Sequence, residues 1–367
     1  MKITRVSLWH VPLTSHEAYY MADGKACETV ETVVVALDTD DGFRGWGEVC
    51  PIPHYLPAYA RGVAPVLTEI APVLLGADPV GPDAVMARVD GWLQGHVYAK
   101  SALDIALWDL TGKAANLPLY RLLGGRQAKD MPLYHSITCV APDDMAKMAR
   151  EAQATGIKQF QVKLGADANN EADIARLRKV REAVGDGPLV YGDWNCGATS
   201  LDATRVARAV ADLDIMIEQP CATIADCARV KNACGLPMKL DETAHDIPSL
   251  LEAHALGCMD AVALKLSKFG GLSATRKARD LCLYLGAKMC IEDTWGSDIT
   301  TCALLHLGAS THPSRVLNVC DLSGYVSPRL DANAPTRQNG RIEAPNGAGL
   351  GANPDLDVLG APDLVLD

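Results

Sequence analysis

Apolar and polar positions alternate along the first part of the chain with the two-residue rhythm of strands. Residues 2–13 and the Val- and Thr-rich run 29–38 each read as a strand. Asp41-Gly42 supplies a hairpin turn before a third, residues 43–49. The rhythm then lengthens. Across residues 99–115, Ala102, Leu103, Ala106, Leu107 and Leu110 share one helical face, and the glycines of 122–125 suit a helix C-terminus. From about residue 133, short apolar runs alternate with amphipathic stretches. Strands are predicted over 133–138, 159–164, 189–193, 214–218, 238–241, 261–266, 288–293 and 315–319. Asp143 or Asp144 is placed to cap a helix stopping near Gly156, and Ile174, Leu177, Val180 and Val184 line one side of the next. Eight alternating βα units predict an α/β protein whose parallel sheet closes into a (β/α)8, TIM-like barrel. The expected organisation is an α+β capping domain over 1–125, the barrel over 126–325, and a Gly- and Pro-rich tail, 326–367, returning to the cap.

Chemistry enters at the strand ends. Lys163 closes the second barrel strand, Asp193 the third, Glu218 the fourth, Asp241 the fifth and Lys265 the sixth. The steps of 30, 25, 23 and 24 residues are each the length of a βα unit. A barrel collects the C-terminal ends of its strands on one face, so these five residues meet in one pocket. Three converging carboxylates are costly to desolvate without a cation, and an all-oxygen donor set suits Mg²⁺. Burial and a nearby cation both lower a lysine pKa, which would let Lys163 and Lys265 exchange protons near neutrality.

The run Ala99-Lys100-Ser101-Ala102-Leu103-Asp104-Ile105-Ala106-Leu107-Trp108-Asp109, continuing to Leu122-Leu123-Gly124-Gly125, resembles a signature of the mandelate racemase/muconate lactonizing branch of the enolase superfamily. The strand ends Gln161-Val162-Lys163, Gly192-Asp193-Trp194-Asn195, Ile217-Glu218-Gln219-Pro220, Asp241-Glu242 and Asp260…Lys265…Gly270-Gly271 follow the same family's order. The resemblance spans essentially the whole chain. It implies one Mg²⁺ per subunit on Asp193, Glu218 and Asp241, with Lys163 and Lys265 as the acid/base pair. Two departures matter. Gln161 stands where the family often has a lysine, so one cation is missing. The seventh strand, reading Glu292-Asp293-Thr294-Trp295, lacks the histidine of the mandelate racemase pattern, which favours a Lys/Lys chemistry.

Lysines on opposite strands serve racemisation, epimerisation or anti elimination of water equally well. Specificity therefore rests on other residues. Asp293, Trp295 and Asp321 offer negative charge and an aromatic face to a substrate ammonium. Asn195 adjoins the ligands. The loop Cys50-Pro51-Ile52-Pro53-His54-Tyr55 resembles that of family members acting on proline derivatives, which assigns His54 and Tyr55 to substrate binding. The resemblance is closest to dehydratases of cis-3-hydroxy-L-proline, with 2-epimerases of proline betaine as the alternative. A catalytically silent metabolite-binding barrel is the reading from another class. His135, His245 and Lys268 are expected to be structural or surface groups, and Gly270-Gly271 either a carboxylate cradle or a plain turn.

Composition narrows the partners. A net charge of −11 argues against nucleic acid. No apolar run reaches the length of a membrane span, and the first residues lack the core of a signal peptide. Twelve cysteines without zinc-like spacing point to buried thiols in a reducing cytoplasm. The implied partner is a small amino or imino acid, and the family resemblance implies a symmetric homo-oligomer.

Overall fold

A computed structural model describes residues 1–54, 56–167 and 169–367. The strand at residues 3–20 pairs antiparallel with that at 26–39, and the latter with Arg44–Val49. Val326–Ser327 and Leu364–Leu366 both join the first strand, so the end of the chain is stitched to its beginning. Across this sheet lies the helix Val97–Ala115, buried along most of its length. Gly47 permits that approach: a Cβ there would sit 1.8 Å from the Ala102 carbonyl oxygen.

Eight parallel strands follow: His135–Ile137, Gln159–Lys163, Leu189–Asp193, Met216–Glu218, Met238–Leu240, Ala261–Lys265, Lys288–Glu292 and Val316–Val319. They pair in chain order. A parallel bridge from Leu133 to Val319 joins the first to the last and closes the barrel. These strands read as near-continuous apolar runs because helices cover them outside and side chains fill them inside. Asn169, Thr199, Thr223 and Asp246 cap the helices leaving the second to fifth strands. Asp143 and Asp144 do not cap. Pro142 opens that helix at Pro142–Ala154, and the two acids lie in its first turn, where they oppose the helix dipole's positive end.

Buried carboxylates of the cap dock it onto the barrel. Asp104 accepts from the Ser273 backbone N–H (2.8 Å) and hydroxyl (2.6 Å) at the start of Leu272–Leu285. Gly271, at φ 109°, leaves the room this needs; its Cβ would lie 2.4 Å from Asp104 Oδ2. The Gly270-Gly271 turn is thus a carboxylate cradle, filled by the protein's own side chain. Glu48 likewise accepts from Ser297 N (2.7 Å) and Thr300 N (2.8 Å) at the start of Asp298–Ala309. Among the described residues no helix is long and apolar enough to cross a membrane, and the twelve cysteines are unpaired thiols, ten of them buried.

Candidate active site

Strand register sets the site. Lys163 lies beside Asp193, Asp193 beside Glu218, and Glu218 beside Lys239, while Lys265 pairs with Glu292. The second and sixth strands stand four apart in an eight-stranded ring, so Lys163 and Lys265 approach from opposite walls. Lys163 Nζ donates to Asp193 Oδ2 (2.5 Å) and Asn195 Oδ1 (2.9 Å); Lys265 Nζ donates to Asp241 Oδ2 (2.6 Å). Glu218, Asp241 and Glu292 bring carboxylate oxygens within 4.8 Å of one another, the spacing a divalent ion needs, and carboxylates are the donors Mg²⁺ prefers. Asp193 stands just outside that trio. Gln161 Nε2 ties it in, donating to Asp193 Oδ2 and Glu218 Oε2 at 2.9 Å each. Two non-glycine residues next to these carboxylates, Asn195 (φ 43°) and Gln219 (φ 30°), hold left-handed backbone, the local strain common at functional sites.

Electrostatics follow from this packing. Burial works against the charge on Lys265, but Asp241, Glu292 and Glu242 outweigh it, holding the ammonium well above its usual range. Burial and a nearby cation were expected to lower it; burial does act in that direction, and the three carboxylates outweigh it. Burial also opposes ionisation of Asp241, yet Lys265, Lys268 and Lys239 keep its carboxyl well below the ordinary value. Glu218 is pushed up to about 7 by burial, with Lys239 pulling the other way. Asp293 rises to about 6 through burial.

Tyr19, Tyr134, Lys163, Lys265, Asp293 and Trp295 are among the walls of a cavity of about 500 Å³, counted to its open mouth. Asp293 is the more occupied of the expected substrate contacts: it accepts from Ser267 N (2.9 Å), the Ser267 hydroxyl and Thr294 N (2.7 Å). Trp295 stands edge-on to Tyr19, ring centroids 5.4 Å apart. Asn195 is buried behind Lys163 and donates to Glu242 Oε1 (3.0 Å). His54 is exposed and is not among the residues lining this cavity. Tyr55 lies outside the described residues. Asp321 is not available to a substrate ammonium, because Arg337 grips both its oxygens at 2.8 and 2.9 Å. Lys268 is no surface group. It is buried, donating to Asp241 O (2.5 Å) and Oδ1 (3.0 Å) and to Ala263 O (3.1 Å). His135 is structural, stacked on Tyr325, and burial lowers it to about 4; His245 is exposed.

Three site residues were not singled out from the sequence. Lys239 is fully buried, with Nζ 2.8 Å from Glu218 Oε1 and 3.4 Å from Glu292 Oε1. It lies over the rings of Tyr191 (5.1 Å) and Tyr134 (5.7 Å). Glu292, which also accepts from the Tyr134 hydroxyl, ends the seventh strand in register with Lys265. Tyr19 comes from the cap. Its strand was expected to stop near Leu13 but continues past a register shift between Thr14 and Tyr19 to the barrel rim, where Tyr20 N donates to Thr138 Oγ1 (2.6 Å). The available signal for Glu292 was its place at a strand end, and for Lys239 an interior lysine two positions before Asp241.

Comparison with known proteins identifies the family. Residues 3–124 match the mandelate racemase/muconate lactonizing enzyme N-terminal domain, and residues 144–358 the enolase C-terminal domain-like family. The chain is 41% identical over 364 residues to a cis-3-hydroxy-L-proline dehydratase of Roseibium aggregatum, covering 99% of each. It is 28% identical to an N-succinyl-L-Arg/Lys racemase of Bacillus cereus, covering 88% of each. An enolase superfamily member from Roseovarius nubinhibens, crystallised with magnesium, superposes with a TM-score of 0.94 at 34% identity, covering 100% of this chain and 99% of that one. With both domains matched and the barrel shared, this chain belongs to the mandelate racemase/muconate lactonizing enzyme branch of the enolase superfamily.

Proposed function

We propose that the protein is a Mg²⁺-dependent lyase that removes water from cis-3-hydroxy-L-proline to give Δ¹-pyrroline-2-carboxylate. The observation that carries this reading is the pair of buried amines on opposed strands, each anchored to a different carboxylate of one cluster. The identity to a dehydratase over the full chain supports the choice of reaction. Asp193, Glu218 and Asp241 would hold the ion, with Glu292 adjoining. The chemistry such an ion supplies is Lewis acidity at the substrate carboxylate, where charge builds as the α-proton leaves.

The chain's own groups perform the proton transfers. One lysine amine takes the α-proton. The C–H electron pair becomes the Cα–Cβ double bond, and the C–O bond at Cβ breaks. The opposite ammonium gives its proton to the departing hydroxyl, releasing water, and the enamine tautomerises to the imine. In the cis isomer the α-hydrogen and hydroxyl lie on opposite ring faces, as two opposed lysines require.

Proton NMR with cis-3-hydroxy-L-proline and Mg²⁺ in D₂O is the test. Imine formation that stops with EDTA is the expected result. Deuterium at the α-carbon without imine would replace the dehydratase with an epimerase, and tight binding without either would leave a binding protein.

A further inference from the structure

Tyr19 ends a hydrogen-bond chain that runs to the carboxylate cluster, and the chemistry of its members fixes its direction. Asp193 Oδ2 already accepts from Lys163, so it accepts from Gln161 Nε2 as well. The second Nε2 hydrogen goes to Glu218 Oε2. The Gln161 amide is thereby oriented with its oxygen turned away from the acids, since the reverse would set oxygen against oxygen. That oxygen takes the Ser136 hydroxyl hydrogen at 2.5 Å. Ser136 has no further hydrogen to give, so in its contact with Tyr19 it is the acceptor and the phenol the donor. The phenol keeps its proton, with burial raising it to about 12. Every donor in the chain thus points toward the carboxylates.

The consequence lies at the other end. With its hydrogen committed to Ser136, the Tyr19 oxygen can only accept, and Tyr19 lines the cavity that both lysines enter. We infer that Tyr19 is a specificity-determining residue that accepts a hydrogen bond from the substrate's ring N–H, selecting a secondary ammonium over a quaternary one. Such a role rests on the proline-derivative reading above and sharpens it: an imino acid carries the N–H that a betaine lacks. Lys163 is itself a hydrogen-bond partner of the phenol and lies 5.7 Å from its ring centroid, so the substrate N–H would share the oxygen with that amine, and an effect on the lysine must be told apart from one on the substrate.

Two ligands separate these roles: L-proline and its N,N-dimethyl betaine, each assayed with Mg²⁺ for binding by calorimetry and for α-proton exchange in D₂O. Wild type is expected to favour L-proline. Tyr19→Phe keeps the ring against Trp295 and removes the acceptor. Affinity for L-proline should fall about 10- to 100-fold, the worth of one charge-assisted hydrogen bond, while affinity for the betaine changes less than about threefold. Ser136→Ala, which frees the phenol to donate, should erode the same preference with Tyr19 in place. Equal losses for both ligands in Tyr19→Phe would overturn the inference, since a role through Lys163 or packing would not discriminate. A wild type that favours the betaine would overturn it as well. A wild type that neither binds nor exchanges either ligand would remove the proline-derivative reading itself, and the inference with it.

Discussion

Lys239→Met removes a fully buried charge and leaves its stem between two tyrosine rings. Lys239 and Glu218 are both 0% exposed and 2.8 Å apart, with Glu292 a second partner at 3.4 Å. Deleting one member of such a pair leaves uncompensated buried charge, a loss of about 3–5 kcal/mol. For a chain of this length that is roughly 4–6 °C in melting temperature. The defect should depend on pH. Glu218 is raised to about 7 even with Lys239 present, and losing the lysine raises it further. A carboxyl raised on folding favours the native state while protonated, and that contribution is lost as pH climbs through the folded value. The variant should therefore be closer to wild type at pH 6 than at pH 8. Mg²⁺ should offset the defect, because a divalent charge supplies what the lysine withdrew; an ion at 100 times its Kd adds about 2.7 kcal/mol. Thermal melts in EDTA and in saturating MgCl₂, at both pH values, measure all three effects. A variant that melts with wild type in EDTA, or gains no more from Mg²⁺ than wild type does, would refute the assignment of Lys239 as the counter-charge of the cluster.

Lys265→Ala should lower turnover by about 10²–10⁴-fold, the usual worth of a general acid or base, while calorimetry finds Mg²⁺ binding nearly intact; retained turnover would strip the residue of its role. If the ion sits on the proposed Asp193, Glu218 and Asp241 set, Asp193→Asn and Glu218→Gln should each weaken Mn²⁺ binding, followed by its paramagnetic resonance, far more than Glu292→Gln. An equal or larger effect at Glu292 would move the metal onto the Glu218, Asp241 and Glu292 trio. His306, which burial lowers to about 4, accepts from Tyr120 N (3.2 Å) and faces Leu350 O (3.0 Å). Its depressed value stabilises the fold above about pH 6.5, and on the order of 3 kcal/mol should be lost as pH falls to about 4; urea melts showing the same pH slope in His306→Gln would contradict this.

The barrel was legible because parallel strands buried on both faces leave uninterrupted apolar runs, and because the helix caps between them keep the spacing regular. Lys163, Asp193, Glu218, Asp241 and Lys265 were legible for the same reason: a polar residue ending an apolar run is conspicuous. What the pattern hid were polar groups that break no rule locally. Lys268 looks like a solvated helix residue until the turn carries it under Asp241. Asp321 looks available until Arg337, sixteen residues on, closes over it. Tyr19 sits in a segment without alternation, held at the barrel rim by its pairing with Cys27, by the tail at Val326–Ser327 and by the bond from Tyr20 N to Thr138. Each depends on a partner distant in sequence, which periodicity does not encode.

The neutral Gln161 shows how such distant partners bear on the chemistry. A lysine there would place a cation against Asp193 and Glu218; the glutamine instead gives them two neutral N–H groups. The missing charge is present three strands away. Lys239 meets Glu218 from the fifth strand, on the carboxylate's other oxygen. With Lys239 supplying a cation to the cluster, position 161 can carry a neutral side chain. A lysine there has only hydrogens to offer, whereas the amide also has an oxygen, and that oxygen receives Ser136 and through it Tyr19. The amide at 161 and the cation at 239 thus hold the same carboxylate from two sides, and the amide links the carboxylate cluster to the cap. Gln161→Lys should break that link while leaving Lys239 in place. If Tyr19 reads the substrate through this chain, the variant should lose the preference for an N–H ligand just as Ser136→Ala does, and a variant that kept it would separate the cap from the cluster.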